Sequence, residues 1–511
     1  MRYGWARVPD VVIALSLLMG RAGSLPAQQP SPGETAGQRA EQKDMRLMGY
    51  NDLQGRSAYQ PIIQKQGDRW IAYIGHHGGE ALNPLTGKVE PNGTSIVDVT
   101  NPSQPRYLFH IPGGKGAGEA GGAQMVRVCE GKDLPKGTPG KTFLLRPNGS
   151  LAHEIWEVTD PGNPAFVITV VTGLNGTHKN WWECDTGIAY LVSDGRPFGW
   201  RTNRMTKIYD LSDPAHPRFI RDFGLPGQEP GSSGPVPGGV HGPTRLGNRV
   251  YFAYGTSGDG MLQIVDRDKL LRGNPESPNP LAPTPANLLY PQIGRLDMSP
   301  NWGAHTSFPI LGVQIPDFAK NLNGQVRDFF FATSEATANN CQEFRHLTFV
   351  VDITTESKPF SVANFQVPES SGNFCDRGGR FGPHATSESF TPIYYKKIVF
   401  VSYFNAGVRA VDIRDPYRPT EVAFYIPAIT AKTDKRCGQV GGAETCKVAI
   451  QTNNVEVDER GFIYIVDRAN TGVHILELTG AARAITTVVL TLPPGRSEVT
   501  ASVRVPATVP V

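Results

Sequence analysis

Four copies of one short pattern carry the residues best suited to chemistry. They are Gly176-Thr-His178, Gly239-Val-His241, Gly303-Ala-His305 and Gly382-Pro-His384, and they hold four of the 11 histidines. Neutral imidazole is the commonest protein metal ligand. A set of four could hold Fe, Cu, Mn, Ni or Zn and leave room for water or substrate. Glu183, Glu335 and Glu388 are candidates for carboxylates that orient the ring nitrogens. His76 and His77 could complete the site or touch a substrate. Two other readings of the same four histidines remain open: a metal-free polar pocket holding water, and strand-end residues with a purely structural role.

Such residues can converge only if the chain repeats, and it does. Seven strand-like runs end in an acid: Asp98, Glu157, Asp210, Asp266, Asp352, Asp412 and Glu477, spaced by roughly 60 residues. In four copies a Pro turn follows, as in Ser95-Ile-Val-Asp98-Val-Thr-Asn-Pro102. A period of this length built from strands and turns predicts an all-β, seven-bladed β-propeller with four-stranded blades. Asp at a strand end accepts backbone N–H groups of the next turn, so these acids are assigned to the scaffold. The blades are expected at about 60–111, 123–171, 177–224, 240–290, 304–367, 383–427 and 452–480. Blade 7 lacks an outer strand of its own. Met45–Tyr50 can supply it and close the ring, with Ile485–Leu492 as the competing segment.

In this parse the inner strands begin with Gln60, Gln124, His178, His241, His305, His384 and Asn453 or Asn454. Their side chains are expected to meet at one mouth of the central channel. The longer loops, including 76–93, 193–204, 272–303, 334–346 and 428–451, gather on that face. Elaborated loops on a rigid scaffold are where function usually sits. Trp200 is therefore expected to line the pocket, and Trp181 and Trp182 the core. Arg196, Arg201 and Arg204 are either a clamp for an acidic group or a solvated loop.

The six cysteines are expected to pair by position in the blades: Cys129 with Cys184, Cys341 with Cys375, and Cys437 with Cys446. Arg2 and Arg7 precede an apolar run, Val11 to Gly20, and Leu25-Pro26-Ala27 offers a small residue for cleavage. Residues 1–27 thus read as a signal peptide for export to the periplasm or beyond, where disulfides persist. Residues 28–44 are polar and read as a disordered tether; 481–511 read as an extra edge strand or a tail. The net charge is +3 with no basic run, which argues against a nucleic-acid partner. No apolar stretch reaches the ~18 residues of a membrane span, so the mature chain is expected to lack one.

The Ile-Val-Asp-Val-x-Asn/Asp-Pro-x-x-Pro unit resembles the LVIVD-repeat family of exported bacterial β-propeller proteins, over about 45–480. Gly75-His-His-Gly78, His178-Lys-Asn-Trp-Trp-Glu183, Phe404-Asn-Ala-Gly-Val-Arg-Ala-Val-Asp412 and Asn453-Asn-Val-Glu-Val-Asp458 look typical of one branch. The resemblance implies fold and export and names no reaction; blades 4, 5 and 7 depart from it by lacking the Asp-Pro turn. A looser similarity of fold is to selenium-binding proteins that act as methanethiol oxidases and to carotenoid cleavage oxygenases. Two functions follow as expectations. One is a metal-dependent oxidoreductase or hydrolase acting on a small molecule. The other is an extracellular propeller that grips a protein, glycan or cell-envelope partner.

Overall fold

The computed structural model describes residues 39–315 and 326–486. The expected signal peptide, most of the expected tether and the tail beyond 486 lie outside the described residues. Seven antiparallel sheets, each with a four-strand path, follow one another along the chain. Blade 3 shows the plan: Thr177–Trp182 innermost, then Ile188–Ser193, Met205–Asp210 and Arg218–Phe223 outermost.

The strand sequence explains why blades stack. Along Ile188–Ser193 every residue is buried. Ile188, Tyr190 and Val192 join an apolar cluster shared with blade 4, while Ala189 and Leu191 join one shared with blade 2. Side chains alternate faces along a strand, so one apolar run serves two interfaces. Seven such clusters lie between the seven pairs of neighbouring blades. Because no blade buries both faces alone, the ring must close.

Closure uses the N-terminal segment. Met45–Asn51 pairs with Gly472–Leu478 as the outer strand of blade 7. Gly480–Thr486, which reaches the start of the competing segment, is a short helix, and the rest of that segment lies outside the described residues. Ordered structure also begins earlier than expected, because Glu41–Lys43 adds a fifth strand to blade 6 against Thr420–Ile426. Blade 4 differs from its expected range. Its outer strand is Gln292–Asp297, and two short helices, Arg267–Arg272 and Pro285–Leu289, fill the third-to-fourth connection. Much of 272–303 therefore belongs to the opposite face.

The repeated acids act in the turns. Backbone N–H groups two residues on donate to Asp98 (3.0 Å), Asp210 (2.9 Å), Asp352 (2.9 Å) and Asp412 (3.0 Å). Asp266 instead caps a helix, accepting from Lys269 N at 3.0 Å. All three expected disulfides form: Cys129–Cys184, Cys341–Cys375 and Cys437–Cys446. The last joins the strands of a hairpin, Lys435–Val440 and Ala443–Val448, standing on the long-loop face.

Candidate metal centre at the channel mouth

A register irregularity builds the site. In blade 1 the pairing of inner and second strands shifts between Ala58 and Pro61. It shifts between Thr177 and Asn180 in blade 3, between Val240 and Gly242 in blade 4, and between Thr452 and Asn454 in blade 7. A bulge adds a residue to one strand and re-aims its side chain. The re-aimed residues are Tyr59, His178, His241 and Asn453. In blades 5 and 6 the histidine stands just ahead of the inner strand, where His305 N donates to Thr333 O (2.7 Å) and His384 N to Ser402 O (2.9 Å). Two of the pattern glycines are required by space. A Cβ on Gly303 would stand 1.9 Å from Gly255 O, and Gly382 has φ +142° with Ala336 Cβ 2.6 Å from where its own Cβ would be.

Tyr59 and all four histidines are buried. His178 Nε2 lies 2.9 Å from His241 Nε2, and Tyr59 Oη stands 2.9 Å and 3.3 Å from those two nitrogens. The His241 and His305 rings are 3.4 Å apart between centroids, and His305 and His384 are 4.4 Å apart. Ligand atoms of His178, His241 and His305 lie within 4.8 Å of one another, and so do those of His305, Glu335 and His384. The four imidazoles therefore form two overlapping sets that share His305, rather than one square.

Two Nδ1 atoms are held from outside: His384 Nδ1 is 2.5 Å from Asn453 O and His305 Nδ1 is 2.9 Å from Thr306 Oγ1. His178 Nδ1 lies 3.4 Å from a Glu119 oxygen but makes no hydrogen bond. A proton held at Nδ1 leaves Nε2 as a lone pair, the arrangement of metal-ligating histidines. His241 Nδ1 has no hydrogen-bond partner. Burial is the main reason all four rings have pKa values well below the ordinary histidine value, and nearby cations and imidazoles add to it. The rings are neutral at physiological pH, as ligation requires.

Two carboxylates flank the rings. Glu335 is 3.7 Å from Nε2 of both His305 and His384. Burial raises its pKa, opposed by Arg380 and Arg468. Glu119 comes from an added strand, Gly118–Ala123, which pairs with His76–Gly78 of blade 1. Burial works against its ionisation, but Arg204, His77, Arg468 and Arg380 prevail and hold its pKa below the usual value. A cavity of about 310 Å³ opens over Tyr59, His178, His384, Glu119 and Glu335.

Other expected site residues lie elsewhere. Gln60 points one layer down the channel and donates to Glu456 Oε1 at 3.0 Å, because the bulge gives the mouth position to Tyr59. Gln124 donates to Glu119 O at 2.9 Å and so supports the added strand. Asn453 lends its carbonyl to His384 and its amide to Tyr59 O (3.0 Å) and Asn454 (2.8 Å). His76 bonds Ser95 Oγ at 2.8 Å, away from the rings, whereas His77 packs against Tyr59 and accepts from Arg468 at 3.2 Å.

Glu183 is at the far end of its strand, bound to Arg267 and Tyr190. Glu388 lies below the rings and bonds Arg127 Nη2 at 2.6 Å and Lys179 Nζ, so neither carboxylate orients a histidine. Trp200 belongs to the apolar core of blades 3 and 4, lying against Gly195 and Gly224, and does not line the pocket. Arg196 pairs with Asp194 and Arg201 with backbone carbonyls, while Arg204 lines the pocket. The residues missed from sequence are Tyr59, Glu119, Arg380 and Arg468; of the three arginines offered as a clamp, Arg204 reaches the cavity. The equivalence of Tyr59 with the histidines shows once inner strands are aligned on their first paired residue; the others carry no spacing signal.

No family's sequence profile matches the chain, and no curated protein matches it. Solved structures similar to it include Sqt1 from Saccharomyces cerevisiae, 9% identical with a TM-score of 0.42, covering 85% of this chain and 99% of that one. Another is Chaetomium thermophilum Sqt1 bound to the N-terminus of ribosomal protein L10, 12% identical with a TM-score of 0.44, covering 84% and 99%. At these scores the likeness says nothing about what this chain does.

Proposed function

We propose that this protein is an exported, metal-dependent enzyme that acts on a small molecule at the channel mouth. Its metal would be held by His178, His241 and His305, with Tyr59 as an oxygen donor. The observation that carries this reading is the triangle of His178 Nε2, His241 Nε2 and Tyr59 Oη, with sides of 2.9, 2.9 and 3.3 Å. Donors bonded to one ion at ~2.1 Å stand about 2.9–3.4 Å from each other, so these atoms are already spaced as neighbouring ligands. Neutral buried imidazoles, with the His305 Nδ1 held by Thr306 Oγ1, support the same reading.

His178, His241 and His305 would hold the metal without filling its coordination, as a catalytic metal requires, and of these His178 also lines the cavity. Burial and the charges of Glu119 and Glu335 push the Tyr59 pKa well above the ordinary phenol value, so its hydroxyl keeps its proton until a bound cation displaces it. The phenolate so formed would be an anionic oxygen donor, which suits iron or copper better than zinc. Redox chemistry is therefore preferred to hydrolysis. The bound metal would supply the electron transfer or Lewis acidity. Glu335, with its raised pKa, can hold a proton beside His305 and His384, and the cavity confines the substrate. Export is supported by the basic and apolar N-terminal residues and by the pairing of all six cysteines.

The test is spectroscopic. Protein loaded with Cu(II) or Fe(III) should show a visible phenolate-to-metal charge-transfer band. In Tyr59→Phe the band should vanish while the metal remains bound. A loaded parent without the band removes Tyr59 from the ligand set and, with it, the preference for redox chemistry.

A further inference from the structure

The histidines do not account for the wall of the cavity. Two guanidiniums stand there, those of Arg204 and Arg380, from blades 3 and 5–6. A third, that of Arg468 from blade 7, stands at the edge of the cavity and lines the adjoining one with His77 and Arg436. Arg204 Nη2 is 3.1 Å from Glu119, and Arg380 Nη1 is 2.8 Å from Glu335. Arg468 lies between both acids. Its nearest carboxylate oxygens, on Glu119 and Glu335, are 3.7 Å and 3.8 Å away, too far for a hydrogen bond. The hydrogen bond its guanidinium makes is to the neutral His77 Nε2, at 3.2 Å. Three guanidiniums stand about two carboxylates, Glu119 and Glu335. The mouth therefore has a positive excess before any metal is added. Asn203, Thr256, Ser257 and Thr337 line the rest of the cavity with amide and hydroxyl groups.

We infer that the substrate is a small hydrophilic anion whose oxyanion group, a carboxylate or a phosphate, is held by Arg468 with Arg380 beside it. The guanidinium fork suits two oxygens of one planar or tetrahedral oxyanion. A volume near 310 Å³ is at the small end of ligand pockets and admits a small molecule. A low-dielectric mouth of one sign concentrates such anions. This inference names the substrate class of the site proposed above, yet the arginines are in place whether or not a metal binds.

The experiment is calorimetric titration of the full purified protein with malonate, with inorganic phosphate and with uncharged malonamide. The parent should bind one of the two anions and not malonamide. The preferred anion identifies the group as carboxylate or phosphate. Arg468→Met should weaken anion binding at least tenfold and leave the metal content unchanged. Arg468→Lys, which keeps the charge but loses the fork, should fall between and guards against a folding defect in the first variant. The His241→Ala/His305→Ala variant should lose metal yet keep anion binding, so failure of the metal reading and failure of this one are distinct. Absence of anion binding by the parent at millimolar concentration would overturn the inference. Undiminished binding by Arg468→Met would do so too, as would loss of binding in the histidine variant.

Discussion

Replacing Glu388 by Gln would probe the charged layer that supports the site. Glu388 lies beneath the histidine rings and accepts from Arg127 Nη2 at 2.6 Å and from Lys179 Nζ. The Arg127 and Glu388 side chains are 10% and 4% exposed. Burial lowers the Arg127 pKa only to about 10, so it is charged at neutral pH. The substituted amide could still accept one hydrogen bond but would leave the guanidinium without its nearest counter-charge. Removing one member of a buried ion pair costs about 3–5 kcal/mol, because the remaining charge is desolvated and unpaired. Glu456, whose own pKa is raised to about 7, is half-ionised at neutral pH and offsets part of this. The expected loss is therefore about 3 kcal/mol in urea unfolding, with the slope of the transition unchanged. A cycle with Arg127→Met should show that the double variant loses less than the sum of the singles. A loss below about 1 kcal/mol for Glu388→Gln, or strict additivity with Arg127→Met, would refute the reasoning.

Three further outcomes are expected. The folded-state pKa of Glu456 is raised from 4.5 to about 7 by burial, so the folded protein holds a proton there that the unfolded chain releases first. Its contribution is fully present below pH 4.5 and is lost as pH rises through 7, a fall of about 3 kcal/mol. Subtracting the pH–stability curve of Glu456→Gln from that of the parent should reveal this fall. Replacing Cys129 and Cys184 by Ala opens a cross-link between residues 55 apart and should cost about 4 kcal/mol under oxidising conditions. Under reducing conditions the variant and parent should unfold alike. Gly303→Ala drives a Cβ into Gly255 O and should displace His305, lowering both the melting temperature and metal retention.

The ring was legible because its signals are local and repeated. An acid, a turn and a period of roughly 60 residues place seven blades; Cys129 and Cys184 then end adjoining inner strands, Cys341 and Cys375 share one loop face, and Cys437 and Cys446 close one loop. The site was half legible. Counting inner strands from their glycines found the four histidines but put Gln60 where the bulge places Tyr59, since an extra residue moves the next side chain to the other face. Glu388 was expected near His384, but four residues along an inner strand carry a side chain down the channel to Arg127 and Lys179. Trp200 lies in a loop by sequence, yet two glycines let its ring reach the core. Glu119, Arg380 and Arg468 come from segments with no repeat, and only the closed ring brings them together.

The central claim is a metal held by histidines at the channel mouth. The most direct measurement is elemental analysis of the protein purified after export, beside the His241→Ala/His305→Ala variant. About one equivalent of a transition metal in the parent, absent from the variant, is the result expected from the convergent Nε2 atoms. No metal in the parent, even after incubation with iron, copper and zinc, would contradict the account.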